Sequence, residues 1–246
     1  MSDAADRSSD HSLRVVTWNG NLSLGKKLDR LLALEPDVAV IQECEQSLPV
    51  PAGYRFVWTG SNPRKGLGVI SKGLTLEVSP HAKYHWAYFL PVSIGEGRLR
   101  MLATWAFNHR ASRIGPGYTG NPREVISDLS EWLREGPSVV AGDFNNSTIW
   151  DHIGKAARFR DIQHDLDQLG LFSAYHHLTG EAFGRESRPT YFHTKNPDKP
   201  FHIDYCFLHH TLRCQRVEIP GFSEWRTYSD HVPVITDLEL PAESLD

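Results

Sequence analysis

The chain has 246 residues, 40% of them hydrophobic and 23% charged, with 19 glycines and 15 prolines. That composition fits one large globular domain or two small ones, and excludes a collagen-like or low-complexity polymer. Twenty-six basic against thirty acidic side chains leave a net charge of −4, so the chain lacks the overall basic excess of a non-specific nucleic-acid binder, which still leaves room for a local basic groove.

From the N-terminus, Met1–Arg14 is polar and lacks the apolar segment of a secretory signal. Residues 1–12 are expected to form a disordered tail, and 13–246 a single domain. Leu13–Trp18 is the first strand-like run, and Leu24, Leu28, Leu31 and Leu32 then lie on one helical stripe that stops before Pro36. Val38–Gln42, the alternating Tyr54–Trp58, Gly68–Ser71, Trp86–Val92 and Leu99–Ala106 follow as strands. Val125, Ile126, Leu129, Trp132 and Leu133 mark a second helix, with Pro122 near its start and Gly136 past its end. Ser138–Asp143 is a strand, Asp161–Leu169 a third helix ending at Gly170, and His202–Leu208 and Val232–Leu238 are the last strands. Runs of consecutive strands predict antiparallel sheet, and helices that follow isolated strands must cover outer faces. Two sheets packed face to face with helices outside meet both demands. The longest stretch without Asp, Glu, Lys or Arg is Gln168–Gly180, too short for the roughly 20 apolar residues of a membrane span. Cys44, Cys206 and Cys214 form no C-x-x-C pair and are expected to be reduced thiols in a cytoplasmic protein.

Polar residues gather at the ends of the apolar strands. Asn19 and Asn21 follow the first, Gln42 and Glu43 end the second, Asp143 and Asn145 follow Val139-Val-Ala-Gly, Asp204 lies in Phe201-His-Ile-Asp-Tyr, and Asp230 and His231 precede the last strand. A carboxylate at one strand end is commonly a turn residue. Several that converge repel one another unless a cation neutralises them, and carboxylates beside amides suit Mg²⁺ or Mn²⁺ better than zinc.

Five motifs in order, Thr17-Trp-Asn-Gly-Asn21, Ile41-Gln-Glu-Cys44, Ala141-Gly-Asp-Phe-Asn145, His202-Ile-Asp-Tyr205 and Ser229-Asp-His-Val-Pro233, resemble the endonuclease/exonuclease/phosphatase superfamily of metal-dependent phosphoesterases, from Leu13 to Leu240. The resemblance implies a DNase I-like four-layer αββα sandwich of two mostly antiparallel sheets, an α/β (α+β) fold. It implies Glu43 as the principal metal ligand, assisted by Asn21 and Asp230; Asn21 departs from the Asp that several nucleases of the family have there. It implies Asn19 and Asn145 as amides that orient the phosphate, Asp143 as the group that activates water, and His231 as the histidine facing the phosphate, oriented by Asp204. Trp105 with Asn108 resembles the tyrosine and asparagine of the abasic-site branch, with core packing as the alternative for Trp105. Phe192, Phe201 and Ile203 resemble a pocket for a flipped-out sugar, or are core. Arg110 and Arg113, extended by Lys26, Lys27, Arg64 and Lys65, are either solvated surface or contacts to a phosphate backbone. The expectation is a Mg²⁺- or Mn²⁺-dependent nuclease with DNA as substrate, no membrane association and no obligate protein partner. The alternative is a phosphatase or phosphodiesterase for a small phosphoester such as an inositol phosphate or a phospholipid head group.

Overall fold

Strand follows strand through most of the computed structural model, which describes residues 12–83, 86–106, 121–152 and 158–241. In chain order these are β1 (Ser12–Asn19), α1 (Leu28–Leu32), β2 (Val38–Cys44), β3 (Tyr54–Asn62), β4 (Lys65–Lys72), β5 (Leu76–Val78), β6 (Phe89–Ile94) and β7 (Leu99–Trp105). Then come α2 (Pro122–Asp128), α3 (Ser130–Arg134), β8 (Ser138–Asp143), α4 (Phe159–Gln168), β9 (Leu171–Ser173), α5 (Ala174–Thr179) and β10 (Tyr191–Phe192). The chain continues through β11 (Pro200–Phe201), β12 (Asp204–His209), β13 (Arg213–Glu218), α6 (Phe222–Trp225) and β14 (Val234–Glu239).

The strands form two six-stranded sheets, ordered β13-β14-β1-β2-β4-β3 and β5-β6-β7-β8-β12-β9, with β10 and β11 as a small separate pair. Within the large sheets only β1–β2 and β7–β8 run parallel. The expected four-layer sandwich follows from which side chains are apolar on each face. Val15, Val38, Val40, Leu67 and Val69 of one sheet meet Val92, Met101, Ala103, Val139 and Ala141 of the other in a single intersheet core. The alternate residues Val16, Trp18, Ala39 and Ile41 are also buried, beneath Leu24, Leu28 and Leu31. On the second sheet Leu102, Val140 and Phe207 lie beneath Val125, Ile126, Leu129, Phe159, Ile162 and Leu166. Strands apolar on both faces therefore need a layer on each side, and the helices supply the outer two.

Several elements differ from their sequence-based reading. The stripe Val125–Leu133 is two helices, because the chain leaves helical geometry at Leu129 (φ −99°, ψ 7°). Short polar residues flank that break, and Leu129 keeps its place in the core. The first helix is short because a 3₁₀ turn, Leu24–Lys26, precedes it and Lys27 is drawn back toward the loop after β1. The strand expected from Trp86 starts at Phe89, after a turn in which Trp86 N–H donates to Lys83 O. β13 escapes a hydrophobicity reading because it is a charged edge strand, the kind that discourages further pairing. No helix among the described residues is long and apolar enough to cross a membrane. Residues 1–11 of the expected tail lie outside the described residues.

Candidate active site

The parallel pair β1–β2 ends level at Asn19 and Gln42, and the parallel pair β7–β8 ends level at Trp105 and Asp143. β12 runs against β8 and begins with Asp204 opposite Asp143. β14 runs against β1, which brings the preceding Ser229-Asp230-His231 to the same end. Five separate strand ends thus deliver their polar residues to one place.

Asp143 is the centre of this array. Its Oδ1 accepts the Asn145 backbone N–H (2.8 Å), while Oδ2 accepts the side-chain amides of Asn19 (3.0 Å) and Asn145 (3.2 Å). Asn145 holds a left-handed backbone (φ 46°) and donates also to Ala106 O (3.0 Å), which fixes the turn below the carboxylate. Behind it, His231 Nδ1–H donates to Asp204 Oδ2 (2.9 Å), and His231 Nε2 faces Asp143 Oδ2 at 3.9 Å. Asp143, Asp204 and His231 are all buried. Burial, with the nearby Asp204 charge, pushes the Asp143 carboxyl well above the ordinary carboxylate range. Burial alone would lower the His231 imidazole, but the Asp204 charge and hydrogen bond outweigh it and raise the ring to about 9. The site therefore sets an imidazole whose charged form is favoured beside a carboxyl whose affinity for a proton is raised, a pair suited to charge stabilisation and proton acceptance respectively.

A second group lies next to it. Glu43 sits at the β-bulge between Gln42 and Cys44, in a left-handed conformation (φ 59°) that turns it out of the ladder. Asn21 Nδ2 donates to Asp230 Oδ1 (3.0 Å), which ties the two side chains together. The Tyr191 phenol is held up at about 12 by burial and then by the charges of Asp230, Asp143, Glu43 and Asp204, so all four carboxylates surround one neighbourhood. Carboxylate and amide oxygens of this kind suit a hard divalent ion, and Glu43, Asp230 and Asn21 are the residues here that could hold one. Ligand atoms of Asp143, Asp204 and His231 also lie within 4.8 Å of one another, but His231 Nδ1 and Asp204 Oδ2 are already engaged with each other.

The loop carrying Asn21 is expensive to hold: Asn21, Leu22 and Ser23 are left-handed in succession (φ 49°, 63° and 51°). Lys27 clamps it. Its ammonium donates to Gly20 O (2.5 Å) and Asn21 O (3.3 Å) on one side and to Tyr228 O (2.6 Å) on the other. The phosphate-track role considered for Lys27 is thereby replaced by a tie between the Asn21 and Asp230 loops. Lys27→Met is expected to cost about 2 kcal/mol, because three part-buried carbonyls lose their donor, which at this size lowers Tm by roughly 4–8 °C. A thermal unfolding curve superimposable on wild type would refute the clamp.

Other sequence-predicted residues are placed differently. Trp105 is not at a substrate-facing surface: it is 1% exposed, belongs to the intersheet core and packs edge-on against Tyr88 (4.7 Å). Asn108, Arg110 and Arg113 lie outside the described residues. The trio Phe192, Phe201 and Ile203 does not form one pocket, since Phe192 and Ile203 are buried and Phe192 stacks on Phe222 (3.9 Å). Alternation instead turns Tyr191, unrecognised in the sequence, toward His231, with ring centroids 4.6 Å apart. Half-buried Phe201 and Trp150 continue that aromatic wall. Gln42, a strand end in the sequence, has a structural role. Its amide bridges the two sheets, donating to Thr17 Oγ1 (3.0 Å) and Thr104 O (3.4 Å).

No protein-family model and no curated protein matches the sequence. Solved structures do match in fold. A Neisseria NExo 3′ phosphatase bound to a product DNA hairpin aligns with a TM-score of 0.66 at 19% identity, covering 91% of this chain and 98% of its own. An AP endonuclease from Leishmania major aligns with a TM-score of 0.66 at 15% identity, covering 96% of this chain and 92% of its own. An endonuclease/exonuclease/phosphatase from Beutenbergia cavernae aligns with a TM-score of 0.57 at 18% identity, covering 94% of this chain and 72% of its own. The two six-stranded sheets, their outer helices and these alignments together give the chain the DNase I-like sandwich fold that these structures share.

Proposed function

We propose that the protein is a metal-dependent phosphoesterase that hydrolyses phosphodiester bonds in DNA with Mg²⁺ or Mn²⁺. The observation that carries this reading is the buried Asp143–His231–Asp204 array with Asn19 and Asn145 on the Asp143 carboxylate. In this reading Asp143 accepts the proton of the attacking water, and its elevated midpoint suits that task. Asn145 and Asn19 keep the carboxylate pointed at the water, and Asn19, whose amide gives one of its two protons to Asp143, presents the other to the phosphate. The His231 imidazolium meets the charge that builds on the non-bridging oxygens, and Asp204 fixes its tautomer and its charge. A divalent ion held by Glu43, Asp230 and Asn21 would add Lewis-acid polarisation of the phosphoryl oxygen. Tyr191, Phe201 and Trp150 offer aromatic surface beside His231 for the organic part of the substrate. Arg110 and Arg113, with Asn108, are proposed contacts to the backbone. The NExo structure's DNA hairpin favours nucleic acid, whereas the net charge of −4 favours a small phosphoester such as an inositol phosphate.

Incubation with circular DNA, abasic duplex, an inositol phosphate and a phosphomonoester, each with Mg²⁺, Mn²⁺ or EDTA, separates the two. Cleavage of DNA that EDTA abolishes is the expected result. Intact DNA with rapid hydrolysis of the inositol phosphate would leave the catalytic array standing with the other substrate. Glu43→Gln is expected to weaken divalent-ion affinity by about tenfold or more, by analogy with the cost of disturbing metal sites. Calorimetric titration checks it, and an unchanged isotherm removes Glu43 from the ligand set.

A further inference from the structure

Glu43 does not stand alone in the structure. The Lys65 ammonium lies 3.2 Å from Glu43 Oε1 and 5.2 Å from the centre of the Trp105 ring. Lys65 opens β4 immediately after the tight turn at Pro63-Arg64, in register with Asn62. The bulge that turns Glu43 outward and the turn that delivers Lys65 are adjacent, since Cys44 pairs with Gly66. Trp105, whose substrate role the core takes away, has its π-face toward this cation; that attraction defines where the side chain lies. The Lys65 side chain is 39% exposed and that of Glu43 18%, so the pair is accessible from solvent and only weakly held.

We propose that Lys65 is an exchangeable internal cation of the site. In the metal-free protein it neutralises Glu43. A divalent ion must displace it to use that carboxylate, and the freed ammonium then takes a non-bridging oxygen of the substrate's phosphate. The proposal rests on the reading of Glu43 as a metal ligand and adds a competitor for it and a second phosphate contact. It accounts for why a side chain of the wrong charge for a metal ligand is built against the carboxylate with the best claim to be one. Exchange is favourable because the ammonium loses one anionic partner and gains another, so no charge is stranded at either stage.

The test measures Mn²⁺ affinity of the full chain by calorimetry and electron paramagnetic resonance, and KM for bis(p-nitrophenyl) phosphate at saturating Mn²⁺. Lys65→Met is expected to tighten Mn²⁺ binding roughly three- to fivefold, the range of a solvent-accessible ion pair. It is expected to raise KM about tenfold, as loss of a charge-assisted contact does. Lys65→Arg should bind Mn²⁺ as wild type does, and Lys72→Met, at the exposed far end of the same strand, should alter neither quantity. A structural role for Lys65 would weaken both metal and substrate binding, so opposite directions are the diagnostic result. Unchanged or weaker Mn²⁺ binding in Lys65→Met, with binding still weakened in Glu43→Gln, overturns the exchange and leaves the metal-dependent reading intact. Absence of any Mn²⁺ binding in wild type overturns both.

Discussion

On the proposed reading, His231→Ala is expected to lower phosphodiester hydrolysis by about 10²–10³-fold, since it removes the buried cation that would meet the developing charge. Asp204→Asn should lose nearly as much, and the double variant little more than His231→Ala alone, because the two groups act through one hydrogen bond. The pH dependence has a definite sign. The ring is raised from its ordinary 6.5 to about 9 in the folded protein. Its attraction to Asp204 is therefore fully present below about pH 6.5 and is lost as pH rises through about 9. Activity that needs the imidazolium should fall along an alkaline limb near that value. In Asp204→Asn the largest counterweight to burial is gone and only the charges of Asp143 and Asp230 still raise the ring, so the limb should move to lower pH. Proton NMR of the imidazole, followed from pH 5 to 10 in both proteins, reads the midpoint without relying on turnover. A midpoint unmoved by Asp204→Asn, or additive losses in the double variant, would show that the residues do not work together.

The largest effect on stability is expected at Gly142, which precedes Asp143 in β8 and pairs with Thr104 of the parallel β7. A Cβ there would lie 1.8 Å from Thr104 O and 2.7 Å from Thr104 C, backbone atoms that have no rotamer to escape into. The residue also has φ +151°, a conformation that L side chains rarely adopt. Gly142→Ala should therefore cost about 4 kcal/mol or more, in the range of the severest single substitutions. That corresponds to a Tm lowered by roughly 8–16 °C, or to a chain that does not accumulate folded. Because the two strands would have to part at the residue beside Asp143, whatever folds should also lose most activity. Thermal unfolding decides the matter: a Tm within about 2 °C of wild type would mean the strands part at little cost.

Much of this protein was determined by sequence alone. Strands apolar on both faces require cover on both, and that requirement leads from Val15-Val-Thr-Trp and Val38-Ala-Val-Ile to a sandwich with helices outside. The polar residues that end those strands were legible too. Asn19, Glu43, Asp143, Asp204 and His231 interrupt apolar runs, and a parallel or antiparallel register gathers strand ends without reference to the loops between. What sequence could not decide is which neighbour each side chain meets across a long span of chain. Trp105 and Phe192 are as aromatic as a substrate wall requires, yet strand alternation turns them inward and leaves the site to Tyr191. Lys27 and Lys65 resemble solvated surface when read locally. The first is tied to Tyr228, 201 residues away, and the second to Glu43 across a strand pair. Apolar periodicity is a local property that burial imposes on every strand. The partner of a single ammonium is set by where two distant loops come to rest, and only the folded chain brings them together.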